Sequence, residues 1–240
     1  MASNCVALAT ALATVFAVSG WSSPGWADAS NEIWPELDLY VQLRQRLRLG
    51  VETVSHIDPG AGSANVQAGG RIELSLAPLR EMLLRTMQPP KQDRATLAIG
   101  YRYGAPIAEG TRGGGTTENR LFAEATLRLL LPGAILASDR NRFEARDLDG
   151  GWSWRYRNRL ELLRGFDAGR LRLAPLLNGE AFYDSRDDAW SRLRAEAGVE
   201  LEHLLGERSM LELFVARQRD ERAGSTSFID ALGITLELYR

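Results

Sequence analysis

The chain has 240 residues, a length that suits one sizeable domain and is short for two. Its formal net charge of −2 excludes a global basic field, so we expect no nucleic-acid partner. Its one cysteine, Cys5, excludes an intrachain disulfide and a thiolate metal site, and we expect no cofactor and no metal. Of its 29 basic residues only Lys91 is a lysine.

The first residues, 1–29, are predicted to be a secretory signal peptide. Residues 1–20 carry no charge and form a run of small apolar side chains, and Ala27-Asp28-Ala29 offers a small-x-small cleavage site. No Lys or Arg precedes the run, and a membrane anchor is the alternative, although the run is short and rich in alanine for a spanning helix. The remaining residues, 30–240, are predicted to form one domain.

From residue 37 onward, apolar and polar residues alternate with a period of two, which places them on opposite faces of β-strands. Arg155, Arg157 and Arg159, for example, fall on one face and Trp154 on the other. We predict ten strands: 37–54, 66–78, 95–104, 117–131, 134–146, 152–163, 170–183, 190–203, 209–219 and 227–239.

The length of these strands favours a membrane barrel. Most have 11 to 15 residues, whereas strands of soluble proteins average about 5–6 and a tilted membrane strand needs about 9–11. An even count suits a bacterial barrel with both chain ends in the periplasm. The predicted fold is therefore all-β, a transmembrane antiparallel up-and-down β-barrel, located in the outer membrane of a Gram-negative cell.

The segment 79–94 is too long for a turn and is partly amphipathic, so we predict a short interfacial helix there, with two further strands, twelve in all, as the alternative. Aromatic residues are expected near the two membrane interfaces. Trp34 and Tyr239 are assigned to the inner interface, and Trp152, Trp154 and others to the outer one.

Alternation by itself leaves open which face looks inward. In a membrane barrel the charged face must line the lumen, because an Arg facing lipid costs about 2–4 kcal/mol at the midplane. We therefore predict a charge network in the lumen, formed by Arg44, Arg46, Arg48, Glu124, Arg140, Arg142, Glu144, Arg155, Arg157, Arg159, Glu161, Glu180, Arg192, Arg194 and Glu196.

Two functions fit such a network. Eight-stranded barrels are filled by side chains, while about 16–18 strands leave an aqueous channel. A barrel of ten strands with Arg and Glu inside is either a structural barrel that its own side chains plug, or a narrow passive pore biased towards anions. In the second case a small anionic solute is the partner.

The segments RNRFEAR, WRYRNRLEL, LNGEAFYD and RLRAEAGVEL resemble the repeating strands of the domain-of-unknown-function 2490 family of Gram-negative outer-membrane β-barrel proteins. The resemblance covers most of 34–240. It implies the barrel fold and the outer membrane, with lipid, lipopolysaccharide and the barrel-assembly machinery as partners. It implies no activity and no catalytic residues. Gly233, Leu236 and Leu238 resemble a terminal-strand assembly signal, although Arg240 follows Tyr239.

Two other hypotheses remain as alternatives to the structural barrel and the passive pore. The first is an outer-membrane lipid-modifying enzyme, for which Ser55 and His56, predicted in an outer loop, offer a nucleophile and a base. Adjacency in sequence is poor support for such a pair, and we expect no enzyme activity. The second alternative is a soluble periplasmic β-barrel, in which the apolar face forms the core.

Overall fold

The computed structural model describes residues 29–78, 89–108, 116–169, 171–206, 208–222 and 225–240. The predicted signal peptide lies, except for Ala29, outside the described residues. Twelve strands form in the described part: β1 Ala29–Arg44, β2 Leu47–Asp58, β3 Ser63–Pro78, β4 Asp93–Ala108, β5 Glu118–Leu131, β6 Ile135–Leu148, β7 Gly151–Arg164, β8 Phe166–Ala168, β9 Leu171–Asp184, β10 Ala189–Glu202, β11 Ser209–Arg222 and β12 Ser225–Tyr239.

Eleven long strands close into a barrel, and the three-residue β8 is an extra strand beside β9. Consecutive long strands pair antiparallel. The barrel closes where β1 pairs with β12, and this pair is parallel. The prediction of an all-β barrel is confirmed, but the count of ten strands and the fully antiparallel pairing are wrong.

The predicted strand 37–54 is in fact a hairpin made of β1 and β2. Val41 pairs with Leu49, and Gln42 pairs with Arg48, so paired residues are both odd or both even in number. Paired residues point to the same face, and the alternation therefore continues through the turn without a break in phase. Period alone cannot reveal such a turn, and neither Gly nor Pro marks it.

Because the long strands are odd in number, β1 starts at one end of the barrel and β12 finishes at the other. We call the end with the turns 45–46, 132–134 and 203–206 the C-terminal rim, and the end with the turns 59–62 and 149–150 the loop rim. The expectation that both ends of the barrel domain lie on one side is wrong. No helix in the described part of the chain is long and apolar enough to span a membrane.

The hairpin between β6 and β7 shows how the sequence sets these turns. Only Asp149 and Gly150 separate the two strands, and both have positive φ, 49° and 86°. An Asp-Gly pair is favoured in a two-residue type I′ turn, where both central residues need positive φ. The turn fixes the register in which Arg142 pairs with Arg157 across the two strands.

The outer face of the barrel is apolar. Leu39, Ile99, Leu121, Leu127 and Leu232 are among many large hydrophobic side chains that are at least 40 % exposed. The residues between them point inward and are mostly polar or charged. The interior also holds two apolar clusters: Leu136, Leu163, Ala174 and Leu176 near the C-terminal rim, and Trp34, Phe214, Ala216 and Ala231 at the β11–β12–β1 seam.

In the segment 79–94, residues 79–88 lie outside the described part. Pro89–Gln92 form a one-turn 3-10 helix, and β4 begins at Asp93. The described part of this segment therefore contains helix before Asp93 and contributes neither of the two additional strands. The side chain of Lys91 on this turn reaches the lumen, as described below.

Candidate functional site

Most of the charged residues predicted for the lumen lie inside the barrel and make up its charge network. Thirteen of the fifteen form ion pairs inside the barrel: Arg48, Glu124, Arg140, Arg142, Glu144, Arg155, Arg157, Arg159, Glu161, Glu180, Arg192, Arg194 and Glu196. The side chains come from β2, β5, β6, β7, β9 and β10.

The other two, Arg44 and Arg46, do not belong to the network. Both lie at the β1–β2 turn on the C-terminal rim and are exposed to solvent. Alternation assigns them to the lumen only if 37–54 is a single strand. The turn at 45–46 instead places them where a strand ends and the chain reverses.

Glu144 is the most crowded carboxylate of the network. Its side chain is fully buried, and its oxygens lie 2.5 Å from Arg155, 3.1 Å from Arg157 and 3.7 Å from Arg120. Arg142 approaches to 4.0 Å. The contacts with Arg155 and Arg157 are charge-assisted hydrogen bonds, which are stronger than neutral ones. Arg120 and Arg142 lie beyond hydrogen-bond distance and form ion pairs with the same carboxylate.

Several ion pairs reach past a neighbouring strand. Arg146 on β6 contacts Asp184 on β9 at 2.7 Å, and Arg159 on β7 contacts Glu196 on β10 at 3.3 Å. In each case one strand lies between the two partners. The long arginine side chains therefore extend from the barrel wall across part of the lumen. We call this set of ion pairs between non-adjacent strands, together with those around Glu144, the Arg–Glu mesh.

Phe182 on β9 is the aromatic centre of this mesh. Its ring is 2 % exposed and points inward, opposite Arg157 on β7 and Arg192 on β10. Four guanidinium carbons lie between 4.7 and 5.5 Å from the ring centroid, those of Arg155, Arg157, Arg192 and Arg194. A guanidinium group near an aromatic face is attracted to the ring electrons. The ring of Phe182 therefore stabilises these four arginines in addition to their carboxylate partners.

A cavity of about 290 Å³ lies in the lumen next to the mesh. Among the described residues, its charged lining consists of eleven arginines and seven carboxylates: Arg71, Arg102, Arg120, Arg140, Arg142, Arg146, Arg155, Arg157, Arg159, Arg192 and Arg194, with Glu36, Asp38, Glu52, Glu118, Glu196, Glu212 and Glu237. The cavity wall is thus cationic although the chain as a whole has a net charge of −2.

The sign of the charge changes towards the C-terminal rim, where carboxylates of β10, β11 and β12 predominate. Lys91 enters this region from the 3-10 helix and pairs with Glu200. Burial lowers the pKa of the Lys91 ammonium, but the carboxylates of Glu200, Glu161 and Glu237 outweigh burial and raise this pKa above its usual value. The lumen therefore has an arginine-rich cavity and, closer to the C-terminal rim, a group of carboxylates around Lys91.

Ser55 and His56, the pair considered for catalysis, both lie within β2 and not in a loop, so that placement is wrong. Consecutive residues of a strand point to opposite faces, and their side chains diverge. His56 Nδ1 lies 3.6 Å from the Glu32 carboxylate, and its ring centroid lies 5.0 Å from that of Trp34. This geometry does not place a serine hydroxyl beside an imidazole base.

Some network members were not among the predicted ones. Arg102, which contacts Glu52 at 2.7 Å, and Arg146 share the alternation that identified their neighbours, so the same pattern could have found them. Lys91 lies outside every alternating segment. The one signal for it in the sequence is that it is the sole lysine among 29 basic residues.

Aromatic side chains form a patch on the outer face near the loop rim. The ring of Trp154 lies 5.5 Å from that of Phe143 and 5.2 Å from that of Tyr183, which in turn lies 5.9 Å from Trp190. Trp152 beside them is 76 % exposed.

The placement of two other aromatic residues is wrong. Trp34 is buried inside the barrel, on the loop-rim half of β1. Tyr239 also points inward, and its ring stacks on that of Tyr40 with the centroids 5.2 Å apart. Alternation within each strand sets both orientations, because Trp34 shares the inward face of β1 with Asp38, and Tyr239 shares that of β12 with Thr235. The parallel pairing of β1 with β12 then sets Tyr40 opposite Tyr239.

Comparison with known proteins places the chain in a family. No curated protein matches it. A family model described as "Protein of unknown function (DUF2490)" matches residues 31–228, from the start of β1 into β12. The match covers most of the closed barrel, including the whole Arg–Glu mesh. The chain therefore belongs to the DUF2490 family of proteins of unknown function.

Proposed function

We propose that this protein is a β-barrel of the Gram-negative outer membrane, with lipid and lipopolysaccharide around it and the barrel-assembly machinery as the partner that inserts it. The observation that supports this is the reversal of the two faces. Large apolar side chains cover the outside, and charged side chains such as Arg142, Glu144 and Glu180 are at most 4 % exposed inside. Soluble monomers rarely expose contiguous apolar patches larger than a few hundred Å².

Quenching of tryptophan fluorescence by brominated lipids tests the membrane location. Two single-tryptophan variants are compared in lipid vesicles, one that retains Trp154 on the outer face and one that retains Trp34 in the lumen. Trp154 is 41 % exposed and Trp34 4 %. We expect brominated acyl chains to quench Trp154 strongly and Trp34 weakly. Equal quenching, or none, in a folded protein would rule out the embedded barrel.

Within this barrel, we propose that the lumen is a narrow passive pore that favours anions. The observation that carries this step is the excess of arginines over carboxylates around the lumenal cavity. Rings of Arg favour anions in pores, and a small ion meets the guanidinium groups first if it enters from the loop rim. The mesh around Glu144 and Phe182 keeps the passage narrow, so the expected conductance is small.

Single-channel recording of the refolded protein, residues 30–240, in planar bilayers tests the pore. We expect steady small steps with anion selectivity in the reversal potential. The variant Arg157→Ala/Arg159→Ala is expected to weaken that selectivity, because both guanidinium groups line the cavity. Arg219→Ala is the matched control, since Arg219 is 48 % exposed and carries an ion pair outside the network. Circular dichroism confirms that each variant is folded.

A structural barrel without conduction is the second candidate, and two features favour it. The ion-pair mesh crosses the lumen near its middle, and the apolar cluster around Leu136 and Leu163 fills part of the C-terminal rim. If a demonstrably folded barrel is silent in the bilayer, the mesh is a plug and this second function stands.

We also propose that the protein has no enzymatic activity. The divergence of the Ser55 and His56 side chains on β2 supports this. Ser55→Ala is expected to leave any lipid hydrolysis by the purified protein unchanged. A loss of hydrolysis in that variant would favour the lipid-modifying enzyme instead.

A further inference from the structure

Lys91 is the only lysine of the chain, and its place in the barrel is unlike that of any arginine described above. It lies on the one-turn 3-10 helix Pro89–Gln92, between β3 and β4. Its ammonium pairs with the carboxylate of Glu200 on β10. Five long strands separate β10 from this helix in either direction around the barrel. The side chain of Lys91 therefore joins opposite walls of the lumen.

The ammonium enters a group of carboxylates that we call the acidic chamber, formed by Glu161, Glu200, Glu202, Glu212 and Glu237. Glu200 and Glu212 are direct partners on the antiparallel strands β10 and β11. Like charges directly opposite each other on a sheet are destabilising. Lys91 interacts electrostatically with all five carboxylates. Arg159 and Arg172 reach only the edge of the group, at Glu161 and Glu202.

The chamber also contains carboxylate oxygens with no donor. Among the described residues, the second oxygen of Glu200 and both oxygens of Glu202 have no hydrogen-bond partner. The two side chains are 2 % and 0 % exposed. Arg172 approaches Glu202, but its nearest guanidinium nitrogen is 3.9 Å away, beyond hydrogen-bond distance. Buried acceptors without donors are costly, so the chamber has the capacity to bind further N–H groups.

We propose that the acidic chamber is a binding site for primary ammonium groups, and that the chain fills it with its own Lys91. An ammonium is a compact charge with three donors that can turn towards several carboxylates, whereas the guanidinium of Arg is a larger planar fork whose donors point in fixed directions. That difference explains why this position alone carries lysine. A metal ion is a poorer occupant, because no group of three acidic or His side chains in the described part has metal-ligand geometry.

Chemical rescue tests this site in the purified barrel, in detergent, without any assumption about conduction. Lys91→Ala removes the tethered ammonium and leaves Glu200 buried without its partner. We expect the thermal midpoint to fall by about 6–20 °C, as for breaking a buried ion pair in a chain of this length. Ethylammonium chloride, the probe, is expected to restore at least half of that loss, because the free ammonium enters the vacated chamber.

The controls separate binding from a general salt effect. Sodium chloride and tetramethylammonium chloride at equal ionic strength are expected to give no rescue, since neither cation carries an N–H donor. Wild-type protein is expected to gain little from ethylammonium, because Lys91 already fills the chamber. Arg94→Ala, which removes an exposed cation three residues further along the chain, is expected to change neither the midpoint nor the response to ethylammonium.

A second variant assigns the rescue to the chamber. Lys91→Ala/Glu200→Gln removes both partners, and we expect its midpoint to lie above that of Lys91→Ala and its rescue by ethylammonium to be lost. If Lys91→Ala does not fold, the refolding yield with and without ethylammonium replaces the midpoint. Equal effects of ethylammonium and sodium, or an undiminished rescue in the double variant, would overturn the proposal.

Discussion

The buried carboxylate of Glu144 allows the Arg–Glu mesh to be tested quantitatively. Replacing Glu144 with Gln keeps the size of the side chain and removes its charge. Three of its four arginines keep a second carboxylate at 2.6–2.7 Å: Arg120 with Glu118, Arg142 with Glu124 and Arg157 with Glu180. Arg155 is different, because its ion pair in the described part of the chain is with Glu144 alone.

The expected loss of unfolding free energy therefore corresponds to one buried guanidinium without a carboxylate, that of Arg155, and not to four. Removing one partner of a buried pair costs about 3–5 kcal/mol, whereas replacing both partners by well-packed apolar groups is often neutral. We expect Glu144→Gln to lower the free energy of unfolding by about 3–5 kcal/mol. The double variant Glu144→Gln/Arg155→Met should recover most of that loss.

Urea unfolding of the purified barrel in detergent, followed by tryptophan fluorescence, measures these free energies. Glu221→Gln is the matched control, because the Arg219–Glu221 pair is 48 % exposed on both sides and exposed pairs contribute about 0–1 kcal/mol. A loss below about 1 kcal/mol for Glu144→Gln would refute the reasoning. So would a double variant that is no more stable than the single one.

The remaining predictions concern three glycines of the strands and turns. Gly233→Ala is expected to cost about 1–3 kcal/mol in unfolding free energy, because the added Cβ would lie 1.9 Å from the ring of Phe214 inside the barrel. Gly150→Ala is expected to cost about 1 kcal/mol by the same urea assay, because its φ of 86° is strained for alanine. Gly179→Ala, with nothing within 4 Å of the new Cβ, is the control for both and should be near neutral; a loss there as large as at Gly233 would contradict the steric argument.

The side chains of β6, β7, β9 and β10 show how much of the site could be predicted from the sequence. Alternation with period two assigned Arg140, Arg142 and Glu144 to one face of a strand, because successive residues of any strand point to opposite sides. The same local rule placed all eleven long strands in ten alternating segments, nine with one strand each and the tenth, 37–54, with β1 and β2 together. Strand length and alternation are local properties, so they can be recognised in a single sequence.

The closure of the barrel was decided by tertiary structure. The turn at 45–46 keeps the alternation in phase, so the sequence shows one segment where the chain forms two strands. That one turn makes the number of long strands odd, and an odd number forces β1 and β12 to meet in parallel. The parallel seam then brings Tyr40 of β1 against Tyr239 of β12 inside the barrel.

The acidic chamber is likewise a product of tertiary structure. Glu200, Glu212 and Glu237 belong to three different strands, and Lys91 reaches them from a helical turn across the lumen. The sequence by itself determined the β class, the two faces and most of the ladder of charges, since each depends on residues two apart. Only the folded barrel decided which charges meet, because those contacts join residues up to 109 positions apart.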